Sequence, residues 1–115
     1  MSLRNLQSEF VVCVAKLILF GDGQGYEWTF GEAWRTPEQA ALNAARGTGI
    51  RASLHVDRLA IDLNLFRDGQ WLTDSAAHAP LAKYWQTLHP LARWGGTFKP
   101  TPDGNHYSFE WQGRK

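Results

Sequence analysis

The chain has 115 residues, enough for one ordinary hydrophobic core and too few for two, and is read as a single domain over 1–115. Twelve lysines and arginines against eleven acidic residues leave a net charge of +1, which excludes a basic footprint for nucleic acid or an anionic membrane. A single cysteine, Cys13, excludes an internal disulfide and a four-cysteine zinc knuckle. Six Trp, six Phe and three Tyr suit either a filled core or a groove for a partly apolar ligand. The longest apolar run, residues 10–20, is interrupted by Lys16 and falls far short of the roughly 20 residues that span a bilayer. Glu9 before that run and the Gly-Asp-Gly-Gln-Gly segment after it do not resemble a signal peptide. The expectation is a cytoplasmic protein with no export signal of its own and no stable membrane insertion.

In chain order, Leu3, Leu6, Phe10, Cys13, Val14, Leu17 and Ile18 recur at three- and four-residue steps. That spacing predicts an amphipathic helix over 3–20, with Cys13 as buried filler. Gly21, Gly23 and Gly25 are expected to end it. Aromatic and β-branched residues predict a strand over 26–30. Thr36 as N-cap, Pro37 at the first helical position and Gln39 completing a capping box predict a helix to about Arg46. The segment Gly47-Thr48-Gly49 is expected to break it.

Leu59, Ile61, Leu63 and Leu65 alternate with Ala60, Asp62 and Asn64, so a strand should present Asp62 away from its Leu and Ile face. Arg67-Asp68-Gly69-Gln70 is a turn signal leading to a short returning strand at Trp71 and Leu72. Asp74 or Ser75 caps a third helix that reaches about Leu88 and stops before Pro90. Residues 93–98 read as a strand and tight turn, and His106, Ser108 and Glu110 alternate with Tyr107, Phe109 and Trp111 in a terminal strand. Helices flanking a small antiparallel sheet make an α+β domain.

His55, Asp62 and His106 are three residues of the kinds zinc accepts. Structural zinc sites are usually closed by four protein ligands and rich in cysteine, whereas catalytic ones keep a position for water, so this set favours chemistry. His55 stands an odd number of residues from Asp62, so it must sit in a loop or bulge before the strand if both bind one metal on the sheet. Asp103 lies three residues before His106, although Pro-Asp-Gly is also a common turn sequence. Taken alone, Arg35 also reads as an exposed charge near a helix start and Ser53 as a loop hydroxyl bonding local backbone. His78 and His89 are read as solvated residues of the third helix or its end. Glu110 is either a partner of a ligand or a solvated strand residue, and Trp94 is read as core.

The segments AWRTPEQAAL, SLHVDRLAIDLNLF, Trp94-Gly95-Gly96 and DGNHYSFEW, in that order along the chain, resemble the zinc peptidases of bacterial cell walls. That family comprises D-alanyl-D-alanine carboxypeptidases and dipeptidases and phage L-alanyl-D-glutamate endolysins, with the central pattern Ser-x-His-x-x-Gly-x-Ala-x-Asp. The resemblance implies His55, Asp62 and His106 as Zn2+ ligands and Asp103 as the general base. It implies Arg35 as the residue that binds substrate and stabilises the oxyanion, and Ser53 as a substrate or loop contact. Two positions depart from the pattern: Arg58 stands where the family has glycine, and Asp103 where many members have glutamate.

The function implied is hydrolysis of peptidoglycan stem peptides. The L-Ala to D-Glu bond is favoured, as in a small phage or prophage endolysin that meets the wall after release, with the D-Ala to D-Ala bond as the competing substrate. The rival from another class is a non-catalytic, zinc-stabilised module that binds the wall or a protein. A monomer is expected.

Overall fold

In the computed structural model, which describes residues 2–47 and 53–115, the chain forms α1 (Leu3–Gly23), β1 (Glu27–Phe30), α2 (Pro37–Ala45) and β2 (Ala60–Arg67). It continues through β3 (Gln70–Leu72), α3 (Ser75–Thr87), β4 (Ala92–Trp94), a 3-10 turn at Gly95–Thr97 and β5 (His106–Phe109). This is the expected α+β arrangement of helices and an antiparallel sheet. No helix among the described residues is long and apolar enough to cross a membrane.

β2 is the hub. Along one edge it pairs with β1, Trp28 opposite Leu65; along the other it pairs with β5, Asp62 opposite His106, and then with β3, Leu65 opposite Leu72. β4 extends the sheet beyond β5. Successive strand residues point to opposite faces, so Ile61, Leu63, Leu65, Tyr107 and Phe109 share one side and are buried. Asp62, Asn64 and His106 share the other.

The buried face is closed by α1, through Leu6, Phe10, Val14 and Leu17, and by α3, through Leu81 and Trp85. Phe10 meets Trp85 and Phe109 edge-on, with ring centroids 5.7 and 5.1 Å apart, the geometry that ring quadrupoles favour. The Trp85 indole N–H donates to the Arg93 carbonyl at 2.8 Å, so a ring in the core still satisfies its polar atom. Each such side chain contributes about 1.5–3 kcal/mol through burial. Cys13 is buried as expected, and desolvation pushes its thiol pKa up.

Several local expectations are corrected. α1 runs on to Gly23, so Gly21 and Gly23 lie inside it. At Gly21 a Cβ would come within 2.5 Å of the Trp28 indole, whose N–H donates to the Ile18 carbonyl. Gly21 therefore admits the ring of β1 onto the helix, and Gly25, at φ 88°, makes the turn. Thr36 caps α2 by accepting from the Gln39 amide at 3.0 Å, but the Gln39 side chain bonds Asn43 and does not complete the box. Gly47 takes a φ of 73°, and the rest of the expected break, Thr48 and Gly49, lies outside the described residues.

The two histidines read as solvated are not. His89 sits half-buried where the chain folds back after α3, its ring stacked on Phe109 and its Nε2 3.2 Å from Glu9 Oε1. His78 is only 2% exposed, with Nδ1 2.7 Å from the Tyr107 hydroxyl. Desolvation lowers the His78 pKa to about 4 and raises that of Tyr107, so imidazole and phenol are both neutral and the phenol can donate to Nδ1.

A histidine whose folded pKa is depressed from 6.5 to about 4 binds fewer protons in the native state than in the unfolded chain between those values. Burying this histidine costs nothing in proton binding above about pH 6.5, and the penalty grows to roughly 3 kcal/mol as pH falls toward 4. Urea denaturation across that window is expected to show a steeper decline for the natural protein than for His78→Gln. Equal slopes would contradict a neutral buried His78.

Candidate metal centre

The first histidine is delivered by a tight turn over residues 53–59. The Val56 and Arg58 amides donate to the Ser53 and His55 carbonyls, and the Leu59 amide donates to the Leu54 carbonyl. The Ser53 hydroxyl accepts from the His55 amide at 3.2 Å, which fixes the backbone at the histidine itself. Arg58 takes a φ of 57°, in the left-handed region that favours glycine. Its guanidinium lies 4.5 Å from the centroid of the Trp34 ring, a cation–π contact that favours this conformation. The turn lifts His55 out of strand alternation, as its odd spacing from Asp62 required.

Asp62 and His106 need no such device, because they face each other across the β2–β5 register. His55 Nε2 lies 3.4 Å and His106 Nδ1 3.5 Å from the same oxygen, Asp62 Oδ1. One donor atom from each of His55, Asp62 and His106 falls within 4.8 Å of the others, and the three could hold a metal ion. The donor set fits such an ion. Asp62 Oδ1, the oxygen on which the His55 Nε2 and His106 Nδ1 atoms converge, is buried without a hydrogen-bond partner among the described residues, a costly state for a polar atom. Tetrahedral ligands about 2.1 Å from zinc are about 3.4 Å from one another, close to the two separations here. Burial would raise the Asp62 pKa, but contact with His106 and His55 more than offsets it and holds the carboxyl down to about 2. Asp62 is thus an anion at every working pH, the form a metal requires.

Arg35 lies next to this group because two segments are laced together. The Arg35 amide donates to the His55 carbonyl at 3.2 Å and the Trp34 indole to the Val56 carbonyl at 3.3 Å. The Arg35 guanidinium pairs with Glu32, and its Nε is buried without a partner among the described residues. Glu32 itself is a residue that sequence reasoning missed. Its Oε1 also lies 3.7 Å from His55 Nδ1, so one carboxylate stands between the arginine and the histidine. Its backbone is fixed too, because the Asp62 amide donates to the Glu32 carbonyl and the Gly31 amide to the Asp62 carbonyl, both at 2.8 Å. The only hint in the sequence was an acid three residues before Arg35.

Asp103 is exposed, close enough to Asp62, His106 and His55 to feel their charges, and held by its backbone. Its amide donates to the Gly95 carbonyl at 2.8 Å, and its carbonyl accepts from the His106 amide at 3.1 Å. A Cβ at Gly95 would lie 2.1 Å from the Asp103 carbonyl oxygen, and one at Gly104 would lie 2.4 Å from Ser75 Cα. The Trp94 indole N–H donates to the Gly104 carbonyl at 2.7 Å. The Trp94-Gly95-Gly96 segment is therefore a clamp on the loop that carries Asp103, a role its sequence alone did not reveal. Partial desolvation and the Asp62 charge raise the Asp103 pKa, with His106 and His55 opposing. Glu110 belongs elsewhere: its carboxylate accepts from Arg93 at 3.1 Å.

The family profile described as D-alanyl-D-alanine carboxypeptidase matches residues 46–109. Among solved structures, the L-Ala D-Glu endopeptidase ChiX of Serratia marcescens superimposes with a TM-score of 0.64 at 19% identity, over 73% of this chain and 67% of that one. At that identity the likeness is one of fold. No curated protein sequence matches the chain.

The carboxylate behind His55 has a measurable role. Glu32→Gln is expected to keep the fold and weaken Zn2+ binding about 10–100-fold, the usual effect of losing an outer partner of a ligand histidine. Competition with a chromophoric chelator measures it; unchanged affinity would remove Glu32 from the site.

Proposed function

The chain belongs to the D-alanyl-D-alanine carboxypeptidase family, and from that premise we propose that it is a zinc metallopeptidase cleaving peptidoglycan stem peptides, at the L-Ala to D-Glu bond. The observation that carries this reading is the convergence of His55, Asp62 and His106 on one point of the sheet, with Asp103 close enough to feel their charges. A ChiX-like fold supports the choice of bond. The family description favours the second reading, a carboxypeptidase acting at D-Ala to D-Ala.

In this reading His55, Asp62 and His106 hold Zn2+. When bound, the metal supplies Lewis acidity, bringing the pKa of water down to about 7 and polarising the scissile carbonyl. Asp103 takes the proton from the attacking water and passes it to the leaving amine. Arg35 balances the negative charge that develops on the carbonyl oxygen, and its pairing with Glu32 holds the guanidinium ready for that task. Ser53 acts through the His55 backbone, with contact to substrate as its further proposed role. The step needs no covalent intermediate, and the setting proposed is an endolysin-like one in which the enzyme reaches the wall after release.

Mass spectrometry of muropeptides incubated with zinc-loaded protein, against a chelator-treated control, tests the reading. Separation of the peptide after L-Ala is the expected result, and loss of one terminal D-Ala would establish the second reading. Asp103→Ala should lower kcat about 10²–10⁴-fold while metal content and Tm are retained. No metal-dependent product from any muropeptide, or indifference to Asp103→Ala, would point to a binding module in place of an enzyme.

A further inference from the structure

The site face of the sheet does not end at Asp62. It continues through Asn64 to Phe66, which pairs with Trp71 across the β2–β3 hairpin. Trp71 is 61% exposed, and its ring stacks on Phe66 with centroids 6.3 Å apart and planes 21° from parallel. The indole is thus braced on one side by a neighbouring ring and presents its other face to solvent. Beside it opens a cavity of about 200 Å3 lined by Trp71, Asn64, Thr73, Ser75, Asn105 and Asp103. His78, which also borders it, is neutral at physiological pH.

The chemistry of this lining selects its ligand. Apart from Asp103 the cavity carries no charge, which disfavours a charged group, and its hydroxyls and amides offer both donors and acceptors. The open indole face, negative through its quadrupole, attracts C–H groups polarised by adjacent oxygens. A neutral ligand with hydroxyl and acetamido groups along its edge and C–H bonds on one face is a sugar. We propose that the cavity between Asp103 and Trp71 is a glycan subsite that takes the N-acetylated amino sugar to which the stem peptide is joined.

The inference rests on the peptidase reading and sharpens it. That sugar is linked to L-Ala through a lactyl ether. Cleavage between L-Ala and D-Glu leaves one residue and the lactyl group between the reacting carbonyl and the sugar, roughly 7 Å of chain. Cleavage between the two D-alanines leaves four residues and the lactyl group, roughly 17 Å when extended. A sugar cavity that shares Asp103 with the reacting centre suits the shorter reach.

Two measurements test the subsite. In the first, zinc-loaded protein is titrated with N-acetylmuramyl-L-alanine, which has no bond for either cleavage, and the Trp71 indole N–H signal is followed by NMR. A saturable shift of that signal, with shifts at the Asn64 and Asn105 side-chain amides, is the expected result. In the second, kcat/KM is compared for a stem peptide with and without its sugar. The sugar should raise it about tenfold, the worth of a stacking contact and a hydrogen bond together, and Trp71→Ala should bring the ratio near one while Trp71→Phe preserves most of it. No shift at Trp71, or a ratio untouched by Trp71→Ala, would overturn the subsite. Hydrolysis of both substrates with no Trp71 shift would sink the subsite and leave the peptidase standing. A Trp71 shift with hydrolysis of neither would do the reverse.

Discussion

The register between β2 and β5 is the constraint on which everything else rests. It sets Asp62 opposite His106 and, by strand alternation, sends Ile61, Leu63, Tyr107 and Phe109 into the core on the other side. A slip of one residue would exchange the two faces and bury the acid among the aromatics. The energy that holds the register is therefore mostly that of the core: Phe10, Trp85 and Phe109 in edge and tilted contact, closed by two helices. The candidate metal centre inherits its precision from packing it does not touch.

His55, the third member of the group, and the proposed base are brought to that frame by irregular backbone, and each is pinned several times. His55 is held through the Ser53 hydroxyl, the Arg35 amide and the Leu54–Leu59 turn, and it faces Glu32. Asp103 is held through Gly95 and His106, with glycines at 95 and 104 allowing an approach that a Cβ would block. Loops stiffened this way keep reactive groups in place without being part of the sheet. The same face, followed outward to Trp71, gives the candidate site a polar neighbour cavity.

Much of this was legible in the sequence wherever local periodicity decides structure. Alternation over 59–65 placed Asp62 on the open face, and the odd interval to His55 required a turn that the structure supplies. Thr36 with Pro37 announced a helix start, and the glycine pattern around residue 58 was satisfied by an arginine held in a glycine-like conformation. What failed depends on partners distant in sequence. His78 looked solvated because nothing nearby in the alanine-rich start of α3 reveals that Tyr107 will meet it 29 residues later. Gly21 looked like a helix end because its real partner, the Trp28 ring, arrives from the next strand. Glu32 passed unnoticed because its place beside His55 follows from backbone pairing with Asp62.

The proposed chemistry requires one metal ion held by His55, Asp62 and His106. The most direct measurement is X-ray diffraction from zinc-loaded crystals on both sides of the zinc absorption edge. A single anomalous peak among the three side chains, absent from His106→Ala crystals, is the result predicted. An ion bound elsewhere, or no peak from protein that still cleaves muropeptides, would contradict it.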